Sequence, residues 1–162
     1  MKKYEIGLYE KAMRNTLTWK EKLQCAKECG YDYLEISIDA TEEKINRIYM
    51  DTEEKREIME AIFDTGIPIG SMSVSALTKY ALGDPDQAVR DRGMEIAEKS
   101  IQLSSALGVR TVMIPGYDIY YGESTIETKR YFLENIRKIA EIAEREGILV
   151  GLSLIHISEP TR

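Results

Sequence analysis

Leu103-Ser104-Ser105-Ala106-Leu107-Gly108-Val109-Arg110-Thr111-Val112-Met113-Ile114-Pro115-Gly116 contains the unit that decides the fold. It reads as a helix end, one glycine, a short apolar strand and a turn. Glycine suits that junction because a helix often closes on one left-handed residue, a conformation in which a Cβ would clash. The unit recurs. Gly30, Gly66, Gly108 and Gly147 stand 36, 42 and 39 residues apart. Each follows a stretch with helical periodicity and precedes a run of apolar or β-branched residues. The runs predict strands over 31–38, 67–72, 109–114 and 148–152, and an earlier run over 4–8 supplies a first strand.

The helices carry signals of their own. Thr18 and Glu21 form a capping box ahead of Trp19, Leu23 and Ala26. A second helix is predicted over 52–65, with Ile58, Ile62 and Thr65 on one face and Met59 and Phe63 alongside. A third, over 86–107, starts from Asp84-Pro85-Asp86, whose charge suits the positive end of a helix dipole. Ile96, Ile101, Leu103 and Leu107 supply much of its apolar material. A fourth, over 125–146, should bury Phe132, Ile136, Ile139 and Ala143. Strands alternating with helices in this order require right-handed crossovers and a parallel sheet. Two α/β architectures satisfy that order, an open doubly wound sheet and a (β/α)8 barrel. Gly7-Leu8-Tyr9-Glu10-Lys11 after the first strand lacks the glycine pattern of a dinucleotide site, and no phosphate-loop lysine motif is present.

Composition narrows the function classes. The 162 residues are 43% hydrophobic and 31% charged, a globular balance that excludes wholesale disorder and a collagen-like fibre. No run of about eighteen apolar residues exists, so no membrane partner is expected. The net charge of −6 and the lack of a basic stripe argue against nucleic acid. The N-terminus lacks a signal-peptide pattern, and Cys25 and Cys29, four apart on a predicted helix, suit core packing better than a disulfide. A reduced, cytoplasmic protein is expected.

In parallel α/β folds, polar residues that bind ligands collect at the carboxyl ends of the strands. Those ends here hold Tyr9 and Glu10; Glu35, Ser37 and Asp39; Ser71, Ser73 and Ser75; and Tyr117, Asp118, Tyr120 and Tyr121. Alternation puts Glu35, Ser37 and Asp39 on one face of their strand. Two readings stand side by side. One is a polar pocket for a polyhydroxylated ligand, with candidate binding residues Tyr9, Glu10, Glu35, Ser37, Ser75, Tyr117, Asp118 and Tyr121. The other is a set of strand ends at the solvent boundary, where polar side chains cost little.

Several of these stretches together resemble one family. They are Gly7-Leu8-Tyr9-Glu10-Lys11-Ala12, Leu34-Glu35-Ile36-Ser37-Ile38-Asp39, Ser71-Met72-Ser73-Val74-Ser75-Ala76, Leu82-Gly83, Ala106-Leu107-Gly108-Val109-Arg110 and Gly116-Tyr117-Asp118-Ile119-Tyr120-Tyr121. The chain from about Tyr4 to Leu152 is similar to the L-ribulose-5-phosphate 3-epimerases, sugar-phosphate epimerases of the xylose isomerase-like barrels. The resemblance implies a (β/α)8 barrel acting on a phosphorylated ketopentose, in L-ascorbate or pentose breakdown. It also implies a divalent metal (Mn, Mg or Zn) that stabilises an enediolate, and two glutamates that exchange roles as acid and base.

The same resemblance places the first metal-binding glutamate at the end of strand five, where this chain has Ser153. A serine cannot supply the charge a metal or a base requires. The remaining ligands belong to the second half of such a barrel, which takes about 250 residues. A partial barrel is therefore expected, with four βα units plus a fifth strand over 1–152 and a non-family tail over 153–162. The chain itself is expected to contribute no catalytic residue and no metal ligand, His156 included, and to be inactive. Only Lys79 supplies charge in Leu77-Thr78-Lys79-Tyr80, where relatives carry a histidine and basic residues. A second reading is a non-catalytic half-barrel that binds a sugar phosphate or self-associates through its open edges into a homo-oligomer.

Overall fold

The computed structural model describes residues 4–153. Five strands, β1 (Gly7–Tyr9), β2 (Tyr33–Ser37), β3 (Ile69–Ser73), β4 (Thr111–Pro115) and β5 (Leu149–Ser153), form one sheet in the order β1-β2-β3-β4-β5. Every neighbouring pair is parallel. That order decides between the two architectures. A doubly wound sheet reverses its strand order part-way, whereas a barrel adds each strand beside the last. The sheet is an arc of barrel.

Helices α1 (Trp19–Glu28), α2 (Glu42–Asn46), α3 (Thr52–Thr65), α4 (Gln87–Ala106) and α5 (Ile126–Glu146) fill the crossovers. Thr18 and Glu21 make the expected capping box, and Asp51 with Glu54 makes another at α3. The short α2 and the 3₁₀ turn Arg47–Tyr49 that follows had no counterpart in the periodicity, because five residues are too few to show it. Their signal is Thr41, whose hydroxyl caps the Lys44 amide.

The only residues with positive φ in the described chain are Gly30, Gly66, Gly108 and Gly147, at 67° to 79°. The strands after Gly30, Gly108 and Gly147 begin one or two residues later than the apolar runs suggest. The reason is the cap itself. Tyr31, Val109 and Ile148 each donate their amide to a carbonyl five residues back, Ala26, Ser104 and Ala143. The first residue after the glycine thus still belongs to the helix end.

Alternation along the strands sorts the two faces. Leu34, Ile36, Met72, Val112 and Ile114 point outward and are sealed from solvent by Leu23, Ile58, Ile96, Ile101 and Ile139 of the helices. Each such side chain contributes about 1.5–3 kcal/mol on burial. Ile139 and Ala143 of α5 are buried as expected, while Phe132 and Ile136 are half-buried. Phe63 departs further: at 88% exposed it lies on the outer face of α3, and Met59 beside it is 44% exposed. Cys25 and Cys29 also depart, since Cys25 is only half-buried and Cys29 is exposed. Leu23 and Ala26 fill the core-facing stripe of α1 instead.

On the inner face, the Tyr33 ring lies across the backbone of both neighbouring strands. A Cβ at Gly7 would fall 2.2 Å from that ring, and one at Gly70 would fall 2.5 Å from it. Tyr33 therefore occupies the space two glycines vacate and covers the amino-terminal end of the arc.

Candidate functional site

A concavity of about 250 Å³ opens where β2, β3, β4 and β5 end. Glu35, Ser73, Ser75, Thr78, Tyr117 and Ser153 supply its polar groups, and Met113 forms part of its apolar lining. Backbone geometry explains the set. Glu35 is an inward residue of β2, and its carboxylate Oε2 accepts from Ser71 Oγ of β3 at 2.6 Å. After β3 the chain makes a 3₁₀ turn, Ser75–Thr78. Three residues per turn put positions i and i+3 on the same side, so Ser75 and Thr78 face the concavity together. The Thr78 hydroxyl lies 2.6 Å from the Tyr117 hydroxyl, and burial pushes the Tyr117 phenol above its ordinary pKa. Across the mouth, Tyr117 packs on Tyr120 at 5.3 Å and Tyr120 meets Tyr121 edge-on at 4.7 Å.

Of the sequence-predicted residues, Glu35, Ser75 and Tyr117 line this concavity. Tyr9 and Ser37 sit beside it and share a hydrogen bond, with hydroxyls 3.3 Å apart. Tyr121 stands at the rim, 77% exposed. The geometry turns Glu10 and Asp118 away from the ligand-binding assignment. Glu10 is buried, and one oxygen accepts from Lys22 at 2.7 Å and Lys44 at 2.6 Å. The other accepts from Arg47 at 2.6 Å and from the Ser37 amide at 2.9 Å. Burial opposes ionisation, but Arg47 foremost, then Lys22 and Lys44, hold its carboxyl far below the usual range. Lys22 and Arg47 also stand over the Trp19 ring at 4.8 and 4.9 Å. Every oxygen lone pair on Glu10 is used, so its role is to fasten the β1 end to α1, β2 and α2.

Asp118 is buried too, accepting from Ser124 at 2.8 Å and from the Thr128 hydroxyl. Burial raises its pKa, yet the Thr128 and Ser124 hydroxyls, with the backbone amides of Asp118 and Ile119, outweigh it and hold the carboxyl below the ordinary aspartate value. It anchors the start of α5.

Thr78 and Met113 were not among the candidate binding residues, and of the three strand-end serines Ser71, Ser73 and Ser75 only Ser75 was. The alternation Ser71-x-Ser73-x-Ser75 was the available signal for a polar inner face. Lys11, noted only as a neighbour of Glu10, reaches Ser75 Oγ and Asp39, both at 3.2 Å, and ties the first loop to the third. Asp39 also accepts from the Thr41 hydroxyl and amide, which with Lys11 holds its carboxyl low despite burial.

Residues 23–156 match the xylose isomerase-like TIM barrel family. The chain belongs to that family. It is 36% identical over 154 residues to the L-ribulose-5-phosphate 3-epimerase UlaE of Escherichia coli O139:H28 (strain E24377A / ETEC), covering 95% of this chain and 54% of that protein. The same figures hold for UlaE of Shigella boydii serotype 18 (strain CDC 3083-94 / BS512). The chain spans about half the length of the curated relatives it matches. Among solved structures, a D-psicose 3-epimerase in the presence of D-fructose superposes with a TM-score of 0.74 at 18% identity, over 92% of this chain and 52% of that one. An L-ribulose 3-epimerase superposes with a TM-score of 0.68 at 22% identity, over 91% and 48%. Both likenesses establish the barrel fold of this xylose isomerase-like chain.

The family resemblance implies a divalent metal, and the described residues do not fit one. Among them no group of three or more His, Cys, Asp and Glu side chains could hold a metal ion. Ser153, at the end of β5, lines the concavity where the resemblance places a glutamate. The rest of the 153–162 tail, His156 included, lies outside the described residues. No described helix is long and apolar enough to cross a membrane.

Proposed function

We propose that this chain forms the sugar-binding side of an L-ribulose-5-phosphate 3-epimerase barrel and holds a phosphorylated ketopentose without turning it over. The observation that carries the reading is the Glu35 carboxylate, fixed by Ser71 at 2.6 Å on the inner face of the strand ends. Glu35 accepts from substrate hydroxyls, and Ser73, Ser75 and Thr78 offer donors and acceptors spaced along the chain of a pentulose. Tyr117 supplies a flat wall for its C–H face and a hydroxyl at the edge. The family-level similarity to sugar epimerases supports the same ligand class.

Inactivity follows from proton bookkeeping. Inverting C3 removes one proton from one face of the sugar and returns one to the other, which takes a proton-transfer group on each side. Glu35 is the one carboxylate among the described residues lining the concavity, so a second group has to come from elsewhere. The chain is expected to reside in the cytoplasm and to bind a soluble sugar phosphate there.

The test is a titration of L-ribulose 5-phosphate into the chain, followed by NMR, with an epimerisation assay in added Mn²⁺ or Mg²⁺. Saturable shifts at Glu35, Ser75 and Tyr117 without turnover support the reading. Metal-dependent turnover by the chain alone overturns the inactivity, and the absence of saturable binding overturns the site.

A second reading, a self-associating half-barrel, draws on the outer strand. Leu149 and Leu152 of β5 are 68% and 43% exposed, beside an edge that no strand among the described residues pairs with. Analytical ultracentrifugation separates the two: a homo-oligomer that binds no sugar phosphate favours the second.

A further inference from the structure

The function above leaves Cys25 and Cys29 unused. They stand four residues apart, Cys25 in the last two turns of α1 and Cys29 as its C-cap, still in right-handed helical conformation and bonded through its amide to the Cys25 carbonyl at 3.0 Å. Side chains at i and i+4 share one helix face, with Cβ atoms about 5–6 Å apart. Neither thiol is in the core, and both are free.

That separation discriminates between two chemistries. A disulfide needs Cβ atoms about 3.5–4.5 Å apart, which this helical spacing exceeds. Two thiols bridged by a third atom span a longer gap, because each sulfur reaches toward the shared centre. The pair is thus better matched to a thiophilic atom held between two sulfurs than to direct oxidation. Thiolate sulfur is a soft ligand that selects soft centres over hard ones.

The surroundings favour an occupant with an apolar substituent. A shallow depression of about 420 Å³ adjoins Cys25 on the same helix, lined by Lys20, Glu21, Gln24, Cys25 and Glu28. Glu28 accepts from Gln24 at 2.9 Å. Burial, then the adjacent Cys29 thiol, push the Cys25 thiol pKa above its ordinary value. The pair lies where α1 leads into β2, at the opposite end of the strands from the concavity of Glu35.

We propose that Cys25 and Cys29 form a dithiol clamp for a thiophilic centre satisfied by two sulfurs, of which a monosubstituted trivalent arsenical is the type. With phenylarsine oxide as the probe, the step balances without an oxidant. Two S–H bonds and the arsenic–oxygen bonds break, two As–S bonds form, and the two thiol protons leave with the oxygen as one water. Arsenic stays trivalent throughout.

The experiment titrates phenylarsine oxide into the full 162-residue chain and counts free thiols, with mass spectrometry of the adduct. One equivalent should consume both thiols, and 2,3-dimercaptopropanol should restore them. C25S and C29S should each bind at least tenfold more weakly, with circular dichroism spectra matching the parent. Single-cysteine variants that bind as tightly as the parent would overturn the clamp. So would a parent that keeps one free thiol at saturation. Because neither cysteine touches the sugar concavity, loss of arsenical binding with sugar-phosphate binding intact isolates this site from the other.

Discussion

Lys44 Nζ lies 2.6 Å from Glu10 Oε1, and both side chains are shut off from solvent, at 2% and 0% exposure. With Lys22 and Arg47, three cations converge on one carboxylate. Desolvation first, then the neighbouring Arg47 and Lys22 charges, pull the Lys44 pKa down, while Glu10 pulls it back up. Removing one partner of a buried pair leaves an uncompensated charge and typically costs about 3–5 kcal/mol. Glu10→Gln should destabilise the chain by that order, read as a lower urea midpoint. Stabilisation would refute the role assigned to Glu10.

The same carboxylate sets an acid limit. Its folded pKa lies far below the unfolded value, so its contribution is fully present above the ordinary glutamate range and drains away as pH falls below it. Parent stability measured from pH 6 down to pH 3 should fall more steeply than that of Glu10→Gln. Parallel profiles would contradict the linkage.

Glu35→Gln keeps the shape of the side chain and removes its charge. If Glu35 accepts from sugar hydroxyls, affinity for L-ribulose 5-phosphate should drop roughly tenfold, the equivalent of about 1.4 kcal/mol. The urea midpoint should move little, because the carboxylate is only half-buried. Isothermal titration calorimetry reads the first effect and denaturation the second. Unchanged affinity would remove Glu35 from the site.

Gly83 has no room for a side chain. A Cβ there would stand 2.5 Å from the Thr128 carbonyl and 2.6 Å from that of Asp118, both backbone atoms that cannot swing aside. Gly83→Ala should cost roughly 1–3 kcal/mol by overpacking. Gly122→Ala, which meets the side chain of Ile119, should cost less. Equal midpoints for the two variants would show that this contact yields.

Leu149 faces the inside of the arc on the outermost strand and is 68% exposed. A charge on an edge strand discourages pairing with another chain. Leu149→Lys should lower the self-association of the chain in sedimentation velocity runs. A distribution identical to the parent would place any association on another surface.

The barrel arc was legible because its punctuation is a backbone requirement. Gly30, Gly66, Gly108 and Gly147 sit where the chain needs positive φ, and their spacing maps onto the repeat with little distortion. The strand starts were less legible, because Val109 and Ile148 look like strand residues while serving the preceding cap. The site was partly legible. Glu35, Ser75 and Tyr117 were readable from alternation and strand ends. Glu10 was not, because its three cationic partners lie 12, 34 and 37 residues away in sequence and only the fold brings them together. Cys25 and Cys29 misled for a simpler reason: helical spacing says that two residues share a face, not which face it is.

Tyr33 and its two glycines carry a consequence for how such a chain can diverge. The ring rests on the backbone of Gly7 and Gly70, one on each neighbouring strand. A larger residue at position 7 or 70 therefore requires the Tyr33 ring to shift or to be replaced by a smaller side chain. These three positions, 63 residues apart at their extremes, are thus coupled through one ring, so that the size of the side chain at each constrains the other two.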